Sequence, residues 1–194
     1  MELLDEAPTD DALLSLARAG DRAAVGALVR RYRSVVYRFA RRLVTDPALA
    51  EDVMQETFLA ATGSLDTFRG EGSLKAWLLS ITRAKAGEAR RRKAGEPSSF
   101  ESAGSLDELG ARAGWGHALS PEELAARVEQ RTLLERGLSG LSPEEREVVL
   151  LRDVEGLSGE QVAAALGLSL AAVKSRLHRG RLRLLALVKQ EVLS

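Results

Sequence analysis

Apolar residues recur along this chain at helical spacing, and the pattern predicts helices rather than strands. Thr9 or Asp10 opens a short helix through Ala19, and a long one follows from Asp21 to Val44. In the long helix Val25, Leu28, Val29, Tyr32, Val36, Phe39 and Leu43 fall on one stripe. Asp46-Pro47 starts the next helix, because Asp accepts from free amides and Pro suits the first helical position; it is expected to run to about Ala61, before Gly63-Ser64. Phe68-Arg69-Gly70-Glu71-Gly72 reads as a loop leading to a helix from Ser73 to about Lys93, with Leu74, Trp77, Leu78 and Ile81 facing inward. These four helices make a first domain, residues 1–93.

From residue 94 to 119 the apolar period fails and Gly, Ser and Pro recur, so this stretch is read as a flexible linker. A second domain, residues 120–194, opens at Ser120-Pro121-Glu122-Glu123. Ser142-Pro143-Glu144-Glu145 and Ser158-Gly159-Glu160-Gln161 repeat the signal, each a capping box in which Ser accepts an amide and Glu or Gln reaches back. After the third box Val162, Ala163 and Leu166 form an inward face, Gly167 supplies a turn, and Ser169 caps a further helix with Val173 and Leu177 inward. This is the pattern of a helix-turn-helix: Ala163 is small where the helices touch, and Gly167 tolerates positive φ. Lys174, Ser175, Arg176, His178 and Arg179 project from the packed face, where a major groove would lie.

Composition supports an all-α fold of two small domains. Aromatic residues are 4% of the 194 and hydrophobic residues 45%, enough to bury cores without favouring strands. With no cysteine and with His117 and His178 far apart, neither a disulfide framework nor a structural zinc is expected, and no cofactor is called for. The acidic start, MELLDEAPTDD, lacks the features of a signal peptide, and no run of about 18 apolar residues occurs; a soluble, cytoplasmic protein without membrane insertion is expected.

The net charge of zero conceals a sorting along the chain. Asp46, Glu51, Asp52, Glu56 and Asp66 lie in a stretch without Lys or Arg, whereas residues 69–93 carry eight basic residues against Glu71 and Glu88. From residue 168 to 190 six basic residues, Lys174, Arg176, Arg179, Arg181, Arg183 and Lys189, stand without an acid. Two separate basic faces of this kind are candidate phosphate-binding surfaces. A solvated helix face would also account for the second run, but capping, turn and unbroken charge coincide there and favour DNA.

The segments "EDVMQETF", "FRGEGSLKAWLLSIT" and "LSPEEREVVLLRDVEGLSGEQVAAALGLSLAAVKSRLHRGRLRL", in this order, closely resemble the extracytoplasmic-function (ECF) sigma factors of bacteria. The resemblance implies a non-enzymatic factor that directs promoter-specific transcription initiation. It implies binding to core RNA polymerase at the β′ clamp helices through Asp52, Gln55 and Glu56, with the β flap as a further contact. The loop and helix after them would separate and read the −10 element, with Phe68, Arg69, Lys75, Arg83, Lys85, Arg90 and Arg91 as candidate contacts. A base flipped from the stack needs a pocket and a cationic path. The recognition helix would read the −35 element through Ser169, Lys174, Ser175, Arg176, His178 and Arg179, with Arg181 as a sequence-indifferent phosphate contact. An anti-sigma partner is implied by analogy.

Trp77 fits a core position better than a stacking platform, while Phe68 fits either. The chain departs from the family pattern at Ala84 and Glu88, where base-reading side chains are expected, and Gly87 between them costs about 1 kcal/mol relative to Ala. The sequence also admits two other readings: a stand-alone helix-turn-helix regulator without polymerase, and an enzyme using Glu51, Asp52 and Glu56 as metal ligands.

Overall fold

Helix starts fall where capping residues dictate them. The computed structural model describes residues 8–70, 72–93 and 132–192, with side chains through residue 189. Thr9 accepts from the Ala12 amide (3.3 Å) to open α1, Asp10–Arg18. Asp21 accepts from Ala23 (2.7 Å) and Ala24 (3.3 Å) at the start of α2, Arg22–Leu43. Asp46 does the same for Ala48 (3.0 Å) and Leu49 (3.5 Å) ahead of α3, Pro47–Gly63. A 3₁₀ turn, Leu65–Thr67, follows, and the Ser73 hydroxyl accepts from Ala76 (3.2 Å) at the head of α4, Leu74–Lys93. Each of these oxygens satisfies an amide that a helix start leaves without a partner.

The chain divides into two units, Met1–Glu101 and Ser102–Ser194. In the first, α2, α3 and α4 pack on one another and α1 closes over α2. Of the predicted α2 stripe, Leu28, Val36, Phe39 and Leu43 are buried while Val25, Val29 and Tyr32 are half-buried. Leu74 and Leu78 are buried on α4, with Trp77 and Ile81 half-buried at the margin of the same core. Two threonines are fully buried within it, and each returns its hydroxyl proton to the carbonyl one turn back, Thr57 to Val53 (2.7 Å) and Thr82 to Leu78 (2.8 Å). A buried hydroxyl without such a partner costs about 1–3 kcal/mol.

The second unit begins, among the described residues, with helix α5 at residues 132–139. It continues with α6, Pro143–Val149, then α7, Gly159–Leu166, and α8, Leu170–Val192. The capping boxes at Ser142 and Ser158 are both present with reciprocal bonds. The box at Ser120 and the stretch read as a linker lie outside the described residues.

One element had no signal in the apolar period. After Val149 the helix widens into a π-helical turn, Leu150–Val154, where the Glu155 amide donates to the Leu150 carbonyl (2.9 Å) and Gly156 at φ +73° ends the run. The core of this unit includes Val148, Val149, Leu150, Leu151, Val162 and Val173. Gly180 on α8 is buried in the crossing with α6: a Cβ there would lie 2.9 Å from Val149 Cγ2 and 3.5 Å from the Glu145 carbonyl oxygen. The missing side chain lets these helices approach.

Candidate nucleic-acid and protein-binding faces

The α3 helix is apolar around most of its circumference, so only packing decides which side is free. Val53, Met54, Thr57 and Ala61 go inward, and Glu51, Asp52 and Gln55 remain exposed. Leu59 is 72% exposed and follows Gln55 by one turn, on the same side as Asp52 and Glu56. The acidic face therefore carries an apolar residue at its end, which the sequence pattern does not single out because Leu59 sits among other apolar residues. Glu56 is bonded by Arg92 of α4 (2.7 Å), and Asp46 by Lys93 (2.7 Å). Hydrogen bonding from Lys93, opposed by partial burial and aided by the Leu49 and Ala48 amides, holds the Asp46 carboxyl below its usual range. Glu51, Asp52 and Glu56 do not come together as a group able to hold a metal, and no such group occurs among the described residues.

On α4 the predicted cations separate into kinds. Arg90 and Arg91 are exposed at the C-terminal end, and Lys75 and Arg83 are half-buried. Lys85 bonds Glu88 (2.8 Å), and this contact depresses the Glu88 carboxyl. At the two positions where the sequence is expected to depart from the family pattern, Ala84 is exposed and Glu88 is tied to a cation. A Cβ on Gly87 would meet only Arg91 Nη1 at 3.5 Å, an ordinary contact, so sterics do not require glycine there.

Phe68 lies on the core side of the loop. It is 7% exposed, and its ring lies 5.3 Å from that of Trp77 at 40°, closing the core beneath the loop instead of offering a face for stacking. Beyond it Arg69 is exposed, and Gly70 and Gly72 take φ of +77° and +101°.

The helix-turn-helix is formed by α7 and α8. Gly167 adopts φ 64°, ψ 37°, the Leu168 amide donates to the Ala163 carbonyl (2.9 Å) and the Gly167 amide to Ala164 (3.4 Å). This left-handed cap is what the glycine was expected to supply. Ser169 opens α8 by accepting from Ala172 (3.2 Å), which leaves its hydroxyl proton to donate elsewhere.

Along α8 the cations divide by position. Lys174, Ser175, His178 and Arg179 are exposed and Arg176 half-buried. Arg179 donates to Ser175 Oγ (2.6 Å) and lies 3.8 Å from the carboxylate of Glu145, which is 5% exposed. Arg183 bonds the same carboxylate at 2.6 Å, and the Ser142 amide donates to it at 3.3 Å. Arg181 clasps Asp153 with two bonds (2.9 and 2.5 Å), which raises its own proton affinity. The pair is solvent-exposed, so a phosphate could take the place of the carboxylate at little cost. Sequence reasoning named Glu145 only as part of a capping box; that it anchors α8 as well needed the fold.

The chain matches the family described as Sigma-70 region 2 over residues 28–96 and that described as Sigma-70, region 4 over residues 131–184. It is 31% identical over 188 residues to the ECF RNA polymerase sigma-E factor of Salmonella typhimurium, covering 92% of this chain and 93% of that protein. With the ECF RNA polymerase sigma factor SigE of Mycolicibacterium smegmatis it shares 34% over 173 residues, 85% of this chain and 63% of the relative. Among solved structures, CnrH in complex with the cytosolic domain of CnrY superposes at a TM-score of 0.67 with 29% identity, over 93% of this chain and 97% of that one. The sigma factor RpoE of Bartonella quintana, in complex with the anti-sigma factor NepR, gives 0.61 with 26% identity over 83% and 94%. From its two matched regions and its near full-length likeness to such proteins, the chain belongs to the ECF sigma factors of the sigma-70 family.

Proposed function

We propose that this ECF sigma factor acts by bridging: one face docks on core RNA polymerase while two cationic faces hold the promoter. Residues 1–93 bind the polymerase and open the −10 element, residues 94–119 link, and residues 120–194 read the −35 element. Asp52, Gln55 and Glu56 meet the β′ clamp helices, with Leu59 adding an apolar contact at the end of that face. Arg69, Arg90 and Arg91, with Lys75, Arg83 and Lys85, draw the strand phosphates along α4. Lys174, Ser175, Arg176, His178 and Arg179 face the −35 groove, with Ser169 donating to a phosphate at its edge and the β flap seating the domain on the enzyme. The factor performs no chemistry of its own and works in the cytoplasm; no described helix is long and apolar enough to cross a membrane.

The observation that carries this reading is the pairing, in one chain, of an exposed acidic α3 face beside a basic α4 with a capped helix-turn-helix whose N-terminal half keeps its cations outward. A stand-alone regulator has no use for the first of these. Both solved structures named above are complexes, one with the anti-sigma factor NepR, and control by an anti-sigma partner is proposed on that likeness. Run-off transcription with purified core polymerase tests the whole: transcripts from specific genomic promoters are expected only when this chain is added. Polymerase-independent binding to operator-sized DNA, with no added transcription, would favour the stand-alone regulator.

A further inference from the structure

We infer that Arg18, at the end of α1, is a positioning residue for the loop between α3 and α4. Its guanidinium donates from Nε to the Leu65 carbonyl (3.2 Å) and from Nη2 to the Phe68 carbonyl, acceptors 47 and 50 residues away. These two carbonyls flank the 3₁₀ turn Leu65–Thr67, and the Leu65 oxygen also accepts the Phe68 amide (3.3 Å). One planar fork thus fixes both ends of the turn, which an ammonium, a point donor, does less well.

What Arg18 holds is the root of the loop that carries the exposed Arg69 and Gly70. Phe68 drives its ring into the core against Trp77, and at the opposite root Ser73 caps α4. Between the roots, Gly70 and Gly72 both take positive φ, and a Cβ added to either would meet nothing within 4 Å. The described part of the loop therefore has few supports of its own, and its direction is set at its roots. Arg18 is in turn held by the seating of α1, because Asp10 accepts from the Tyr32 hydroxyl and from Arg31 (2.6 Å) on α2. A side chain fixed in this way limits the angles the loop explores, and discrimination between bases needs a reading element held to within about 0.5 Å.

The inference rests on the proposed reading of this loop as the −10-reading element. Its test uses the full chain with core polymerase on two template panels, one varying each −10 base and one varying the −35 element. Arg18→Ala is expected to lower −10 discrimination about tenfold while −35 discrimination stays at the wild-type level. Arg18→Lys, which keeps the charge, is expected to lose most of the same discrimination. Hydrogen exchange of the Thr67 and Phe68 amides, measured without polymerase, is expected to quicken in both variants while α2 and α4 stay protected. A loop variant, Gly70→Val, separates the two claims. If Gly70→Val flattens the −10 panel and the Arg18 variants do not, Arg18 has no positioning role although the loop reading stands. An even loss across both panels would reduce Arg18 to a stability residue. If none of the three variants alters −10 discrimination, the loop reading falls and takes this inference with it.

Discussion

Helices α4 and α8 are both basic, yet they hold their charge in different ways. Arg92 and Lys93 of α4 reach across to Glu56 and Asp46 of α3 through solvent-exposed bridges of 2.7 Å. Arg183 and Arg179 of α8 converge instead on Glu145, whose carboxylate is buried and also closes a capping box. Exposed pairs are worth about 0–1 kcal/mol and weaken with salt, whereas a partly desolvated carboxylate with several donors is screened much less. Arg92 and Lys93 can exchange a carboxylate for a phosphate at little cost, whereas Arg183 and Arg179 also tie α8 to the buried carboxylate of Glu145. Toward the start of α8, Lys174, Ser175 and His178 are exposed and Arg176 half-buried, on the part of the helix proposed above to meet base edges.

The contrast breaks most visibly at Glu145. Breaking a buried ion pair costs about 3–5 kcal/mol, and because the arginines are about half exposed, Glu145→Ala is expected to cost about 2–3 kcal/mol. Thermal unfolding followed by hydrogen exchange should place the loss in the second unit. If Glu56→Ala destabilises the first unit as much, the two sets of pairs are equivalent and the comparison fails.

A second measurement separates readers from anchors within α8. Arg176→Ala is expected to cost about 1–3 kcal/mol of binding and to relax discrimination at one −35 base pair. Arg181→Ala should instead lower stability by about 1 kcal/mol or less, since its partner Asp153 is exposed, and leave the base preference as it was. Equal loss of discrimination in both, read by competition binding on −35 variants, would contradict the division.

On α4, Gly87→Ala is expected to raise the stability of the first unit by up to about 1 kcal/mol, because the space for a methyl group exists and helical Gly is costly. A drop in melting temperature would show that the position needs glycine for a reason the packing does not contain.

The smallest effect concerns pH. The Asp46 carboxyl is depressed chiefly by Lys93, so its share of stability is complete above the ordinary carboxylate range and is lost as pH falls through the depressed value. Lys93→Met should therefore lower the melting point near neutral pH by an amount corresponding to less than about 1 kcal/mol, with the difference closing in acid. A difference that persists unchanged in acid would assign the effect to packing of the lysine stem.

Much of this could be seen in the residue order. Thr9, Asp21, Asp46, Ser73, Ser142, Ser158 and Ser169 announce helix starts because capping is a local bond between a side chain and an amide two or three residues on. Gly167 announces the turn because positive φ is a property of one residue. The π-helical turn at Leu150–Val154 was not visible, since a widened turn keeps its apolar residues and is set by how the helix meets its neighbours. Phe68 read equally well as a stacking platform or as core, and only its contact with Trp77 decides for core.

Helix content, the capped turn and the sorting of charge were determined by the sequence alone, because each depends on interactions between residues close in the chain. Which charges remain outward was decided by the tertiary structure. The carboxylates that engage Arg181, Arg183 and Arg92 lie 28, 38 and 36 residues away in sequence, and Arg18 finds its carbonyls across a similar distance. Coulomb attraction and hydrogen bonding act over a few ångströms of space, and only the packed fold brings such partners within that reach.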